Sequence, residues 1–175
     1  MAFRLVTLNL NGIRSAAKKG FVAWAESTSA DCMGVQEVKA QADDVAGTLD
    51  RVGALQGHFH FAQKKGYSGV GLYVKKSPSD VLTGFGSPEF DAEGRWVETR
   101  FDTAKRKFSV ISCYFPSGSS GEERQAAKFR FLAQMHPDYH FATPAIAATA
   151  RRAAIYLDQR FSDHAPLTID YDLKL

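Results

Sequence analysis

Short β-like runs parted by glycine-, proline- and serine-rich turns fill most of this chain, and they restrict it to a sheet-built fold with few helices. Phe3 to Leu10 is rich in apolar and β-branched residues and stops at Asn11-Gly12, so it reads as a strand that delivers its last residues to a loop. Cys32 to Gln36 reads as a second strand, and Pro166 to Leu173 as the last, with Leu167, Ile169 and Tyr171 alternating with Thr168, Asp170 and Asp172. Between them lie β-like runs at His58 to Ala62, Val70 to Val74, Arg95 to Phe101 and Lys107 to Phe115. The Arg95 run alternates, placing Val97, Thr99 and Phe101 on one face and Trp96, Glu98 and Arg100 on the other. Many strands with few helices predict a mixed, largely antiparallel sheet or two packed sheets.

Helical signals are sparse. Ala17, Phe21, Trp24 and Ala25 fall on one face of a helix running on from Ser15, although Gly20 weakens it. Strand, helix and strand thus form an α/β opening. Ser117-Gly118-Ser119-Ser120-Gly121 reads as a loop, after which Glu122-Glu123 open a helix through Gln134, the acids suiting its positive end. Thr143-Pro144 caps an alanine-rich turn or short helix.

A length of 175 residues, 45% hydrophobic and 23% charged, suits one soluble domain over 1–175, with no repeat or linker. The formal charge of +3 permits a polyanionic partner without demanding one. No window is long and apolar enough to cross a bilayer, and the N-terminus lacks a signal-peptide pattern, so no membrane partner and a cytoplasmic location are expected. The two cysteines, Cys32 and Cys113, sit in apolar runs that read as buried strands, which makes them inert thiols.

Chemistry-bearing side chains gather at the two ends of the chain. Asn9 and Glu37 each follow a strand-like run and offer oxygens of the kind that hold magnesium together with water and substrate phosphate. Asn9, two residues ahead of the Asn11-Gly12 turn, also reads as a simple turn residue, whereas Glu37 lies where strands of α/β folds present their sites. Ser162-Asp163-His164 precedes the last strand. A histidine that activates water needs a carboxylate to set its tautomer, and Asp138 is the candidate, although a surface or structural histidine is the plainer reading. Tyr114 can give a phenolic hydrogen bond to a phosphate or merely pack. Basic pairs such as Lys18-Lys19, Lys64-Lys65, Lys75-Lys76 and Arg151-Arg152 suit a phosphate backbone or a solvated surface alike.

Taken as a set, Leu8-Asn9-Leu10-Asn11-Gly12-Ile13-Arg14, Val35-Gln36-Glu37-Val38-Lys39, Gly66-Tyr67-Ser68-Gly69-Val70, Cys113-Tyr114-Phe115-Pro116-Ser117-Gly118 and Ser162-Asp163-His164-Ala165-Pro166-Leu167 resemble the exonuclease III family of abasic-site endonucleases, in family order over nearly the whole chain. The resemblance implies a four-layer αββα sandwich, two mixed β-sheets packed face to face with helices outside. It further implies magnesium or manganese at Asn9, Glu37 and Asp163, and a catalytic centre of His164, Asp138, Tyr114 and Asp163. Asn11, Arg14, Lys39, Tyr67, Ser117 and Ser119 would contact the substrate, double-stranded DNA with abasic sites or 3' ends.

The chain departs from the family in one place. Between the helix ending near Gln134 and Asp138 the family carries a long segment with a Gly-Asp-x-Asn strand, where this chain has only Met135-His136-Pro137. It contains no Gly-Asp dipeptide and no asparagine other than Asn9 and Asn11. The second sheet is therefore expected to be incomplete. Besides the repair nuclease, two functions stay open: a catalytically silent DNA-binding relative, and a phosphoesterase acting on phospholipid or inositol phosphate, against which the Asn-Gly-Ile-Arg string argues.

Overall fold

The computed structural model describes residues 3–104, 107–117, 121–134 and 143–173. Its elements run β1 (Phe3–Asn9), α1 (Ile13–Lys18), α2 (Phe21–Ser27), β2 (Cys32–Gln36), α3 (Ala42–Val45), β3 (Arg51–Val52), β4 (Leu55–His60), β5 (Val70–Val74), β6 (Asp80–Thr83), α4 (Pro88–Asp91), β7 (Trp96–Arg100), β8 (Ser109–Cys113), α5 (Glu122–Gln134), α6 (Pro144–Ala147), β9 (Ala150–Ile155) and β10 (Leu167–Tyr171). Seven strands form one sheet in the order β3-β4-β5-β2-β1-β10-β9, and three form a second, β6-β7-β8. Among the described residues only β1 and β2 pair in parallel, and the other pairings are antiparallel.

Two apolar cores explain the layering. Val6, Leu8, Met33, Val35 and Tyr73 face Ile13, Phe21, Trp24 and Phe161, so α1 and α2 seal one side of the large sheet. On its other side Phe3, Cys32, Val70, Leu72 and Val74 meet Val97, Phe101 and Val110 of the second sheet. β2 and β5 thus bury both faces, which is why each reads as an unbroken apolar run rather than an alternating one. Gly34 lets the sheets approach, since a Cβ there would lie 3.4 Å from Ser112 Oγ. The outer face of the small sheet is covered by α4 and α5 through Phe90 and Phe131, whose rings meet edge to face at 4.9 Å, and through Phe85, 5.4 Å from Phe131. Burying each such ring contributes about 1.5–3 kcal/mol. The result is the expected helix, sheet, sheet, helix order, with the second sheet the smaller.

Several sequence expectations are corrected. The helix expected to continue from Ser15 is two helices, because Gly20 takes up a left-handed φ of 92° between them and caps the start of α2. The Ala150–Ile155 stretch is a strand, its basic pair Arg151-Arg152 exposed at the sheet's edge. The run around Cys113 is not a buried strand: β8 ends the small sheet, Ser109 and Ile111 are exposed, and Ile111 shows 44% of its surface. Neither cysteine forms a disulfide, and burial pushes both thiols up, Cys113 to about 12. Beyond β8 the large sheet's inner face opens on a cavity of about 80 Å³ lined by Leu5, Thr7, Gln36, Ile111, Leu167 and Ile169. Among the described residues no helix is long and apolar enough to cross a membrane.

Candidate active site

The parallel pairing of β1 with β2 sets Asn9 opposite Gln36, so the two strands end side by side and release Asn9 and Glu37 at the same edge. The loops beyond are laced together: Gly12 N–H donates to Glu37 C=O at 2.8 Å, Ile13 N–H to Val38 C=O at 2.9 Å, Val38 N–H to Gly69 C=O at 3.0 Å and Lys39 N–H to Ser68 C=O at 2.9 Å. Non-glycine residues at positive φ are uncommon. Here Asn11 (47°), Glu37 (49°), Lys39 (49°) and Ser68 (45°) all adopt it in these adjoining loops. Each such residue stores on the order of 1 kcal/mol, and the lacing is what holds it.

The side chains form one continuous set of contacts. Asn9 Nδ2 donates to Glu37 Oε1 at 2.7 Å, and Asn11 N–H donates to Asn9 Oδ1 at 3.0 Å. Asn11 Nδ2 donates to Asp163 Oδ1 at 3.0 Å, joining the first strand's end to the loop before the last. Lys39 Nζ lies 2.7 Å from Glu37 Oε2 and also donates to Asn11 Oδ1. The Tyr114 phenol lies beside Glu37, and each group shifts the other's proton equilibrium. Burial alone would raise the Glu37 carboxyl, but donors from Lys39, Asn9 and Tyr114 outweigh it and hold the group below the usual carboxylate range. Asp163 is also lowered, first by its own backbone N–H and then by Asn11, so both carboxylates are ionised at neutral pH. Burial, with the Glu37 charge beside it, pushes the Tyr114 phenol up to about 12.

His164 lies beside this set, half exposed, with Nε2 4.0 Å from Asp163 Oδ1. Its backbone is fixed by Ser162: His164 N–H donates to Ser162 Oγ at 2.9 Å, and that hydroxyl donates to the Asn9 carbonyl. Asp138, the expected orienter, and Ser119 lie outside the described residues. Arg14 pairs with Asp44 at 2.8 Å, on α3, and reaches the Lys39 carbonyl at 3.5 Å. Ser117 is exposed in the irregular stretch that follows β8 and also contains Tyr114.

Four residues given no role of their own in the sequence reading organise the site and its rim. Arg95, buried, donates to the Tyr114 carbonyl and to the Tyr67 hydroxyl, both at 2.9 Å, pairs with Glu93, and stacks 5.1 Å over the Tyr114 ring. Arg124 of α5 donates to the same Tyr67 hydroxyl at 2.9 Å, which in turn donates to Glu93 at 3.3 Å. Tyr67, placed on the substrate list by resemblance, is thereby joined through Arg95 to Tyr114 and Glu37. The fourth is Ser162, whose position in Ser-Asp-His is the pattern of a hydroxyl accepting a backbone N–H two residues on, the one signal that could have marked it.

Magnesium fits this donor set. The groups are all oxygens, two are carboxylates, and a cation, the Lys39 ammonium, already rests against Glu37. Among the described residues no three His, Cys, Asp or Glu side chains gather closely enough to hold an ion by themselves. Glu37, Asn9 and Asp163 would therefore share it with water and a phosphate oxygen, as magnesium prefers.

Comparison with known proteins places these features in a lineage. Residues 6–168 match the model of the endonuclease/exonuclease/phosphatase family. The chain is 32% identical over 123 residues to an exodeoxyribonuclease of Bacillus subtilis, an alignment covering 69% of this chain and 46% of that protein. It is 32% identical over 135 residues to exodeoxyribonuclease III of Haemophilus influenzae, covering 75% and 49%. The chain thus spans about half the length of these relatives. The structure of an AP endonuclease from Archaeoglobus fulgidus superposes with a TM-score of 0.80 over 98% of this chain and 100% of that one; at 17% identity this likeness concerns the fold alone. Since the match runs from β1 into β10 and encloses Asn9, Glu37, Tyr114 and Asp163, the chain belongs to the endonuclease/exonuclease/phosphatase family.

Proposed function

We propose that this chain is a metal-dependent DNA phosphodiesterase of the base-excision-repair type, acting on duplex DNA at abasic sites or 3' ends. The observation that carries the reading is the oxygen cluster in which Asn9, Glu37 and Asp163, drawn from opposite ends of the chain, are tied together through Asn11. Names of relatives at 32% identity, an exodeoxyribonuclease and an exodeoxyribonuclease III, support the DNA substrate.

Hydrolysis breaks one P–O bond and places a water oxygen on phosphorus. Magnesium or manganese, held by Glu37, Asn9 and Asp163, would supply positive charge against the oxygens where negative charge builds. Tyr114 would offer its phenol O–H to a phosphate oxygen; a hydroxyl whose proton is held up to about 12 stays a donor across the physiological range. His164, steadied by Ser162 and exposed beside Asp163, would take or return a proton at its ring nitrogen, with Asp138 as its partner. Asn11, Arg14, Lys39, Tyr67, Ser117 and Ser119 would line the DNA path, with Arg124 and Lys64 adding cations over the Tyr67 ring. The cytoplasm is the proposed compartment.

A second reading has one specific observation in its favour: the missing Gly-Asp-x-Asn strand removes groups that would preorganise water and phosphate, which suits a chain that binds DNA without cutting it. Incision of a labelled duplex bearing one abasic-site analogue separates the two. The nuclease reading expects cleavage with magnesium that disappears with chelator and in Glu37→Gln and His164→Ala. A folded, mass-verified chain that retards the duplex in a salt-sensitive manner yet never cleaves it would instead establish the binding reading.

A further inference from the structure

The Lys39 ammonium sits where a site for a divalent cation has least room for another positive charge. It contacts Glu37 Oε2 at 2.7 Å and Asn11 Oδ1, and Asn11 in turn holds Asp163 at 3.0 Å. The lysine is not there by side-chain drift alone: its backbone is locked at φ 49° by the hydrogen bond to Ser68 and braced by Arg14 on its carbonyl. Two carboxylates and one ammonium leave a net charge of −1; a divalent ion added to that set brings it to +1, with like charges competing for the same Glu37 oxygens.

Resting on the nuclease reading, we propose that Lys39 is a built-in counter-cation of the metal site, displaced from Glu37 when a divalent ion binds and thereby released towards the substrate phosphate. Its presence weakens the metal-only complex, and a phosphate that receives the displaced ammonium restores the loss. Metal and substrate then favour each other's binding, and by linkage the coupling is mutual.

The test is Mn2+ affinity of the purified chain without DNA, read from loss of the free-ion EPR signal, for the unaltered protein, Lys39→Met, Lys39→Arg and Glu37→Gln. Lys39→Met is expected to bind Mn2+ about 5-fold or more tightly than the unaltered chain, in line with ordinary coupling strengths. Lys39→Arg keeps the charge and stays weak, and Glu37→Gln loses binding. Equal or weaker affinity in Lys39→Met, with binding still dependent on Glu37, overturns the role of Lys39 and leaves the nuclease reading standing; absence of binding in every chain overturns both. Should Lys39→Met not fold, acetic anhydride labelling of Lys39 in the unaltered chain decides: labelling that rises with added Mn2+ supports displacement, and labelling that does not change refutes it.

Discussion

Replacing Arg95 by methionine tests how far the candidate site depends on a single buried cation. The Arg95 side chain is 2% exposed, and it loses three partners at once: the Glu93 carboxylate, the Tyr114 carbonyl at 2.9 Å and the Tyr67 hydroxyl at 2.9 Å. Methionine retains most of the apolar stem, so the loss is chiefly one of hydrogen bonds. Bonds to charged groups are worth about 1.5–3 kcal/mol each, but these do not simply add. Tyr67 keeps Arg124 as a donor, and Glu93, with its side chain 33% exposed, remains partly solvated when unpaired. The Tyr114 carbonyl is the group left worst off. The sum lies near the lower end of what breaking a buried ion pair costs, about 3 kcal/mol. In a chain of 175 residues that lowers Tm by roughly 6–12 °C. Urea and thermal unfolding followed by circular dichroism provide the assay. A change below about 1 kcal/mol, the size of an ordinary surface substitution or little more, would refute the assignment of Arg95 as the strut of the rim.

Two further outcomes follow from neighbouring geometry. Gly94→Ala should destabilise by about 2–4 kcal/mol, because φ is +61° and a Cβ would lie 2.6 Å from the Ala62 nitrogen and the His60 carbonyl oxygen, backbone atoms that cannot swing aside; urea midpoints read it, and a neutral result would contradict the close approach of the turn after α4 to the chain leaving β4. Tyr114 should resist ionisation until about pH 12, well above the ordinary phenol near 10, as measured by the 295 nm absorbance difference between the protein and Tyr114→Phe. Since the folded value is raised, the stability linked to its proton is complete below about pH 10 and is lost as pH climbs towards 12; a normal titration would mean that Tyr114 is neither buried nor paired with Glu37.

Local pattern foretold much of this molecule. β2 and β5 carry unbroken apolar runs because both faces are covered, and β7 alternates because Val97 and Thr99 face the other sheet while Trp96 and Glu98 do not. Glu37 stood out because an apolar strand delivers its carboxylate to a loop, whereas Asn9 and Tyr114 read equally as turn and packing residues, and Asp163 took a role only from the resemblance. Composition and spacing, being properties of neighbours along the chain, sufficed for most of the strands, and the resemblance between strings supplied the set of site residues and the layered architecture.

What lay beyond the sequence depends on atoms far apart in it. Gly20 marks a weak point in the helical run, but that the run breaks there follows from its left-handed φ together with the packing of Phe21 and Trp24 into the core. Arg151-Arg152 read as surface charge, and only pairing with β10 makes their segment a strand. Arg95 looked like one more strand residue until Tyr67, Glu93 and Tyr114 closed around it, and Lys39 like a phosphate contact until Glu37 and Asn11 were brought to its ammonium. The residue types and their order thus determined which chemistry was on offer and where most, though not all, of the strands would lie. Which of those side chains touch, and therefore which charges cancel, was settled only by folding, because Coulomb and hydrogen-bond energies act over a few ångströms and are indifferent to separation along the chain.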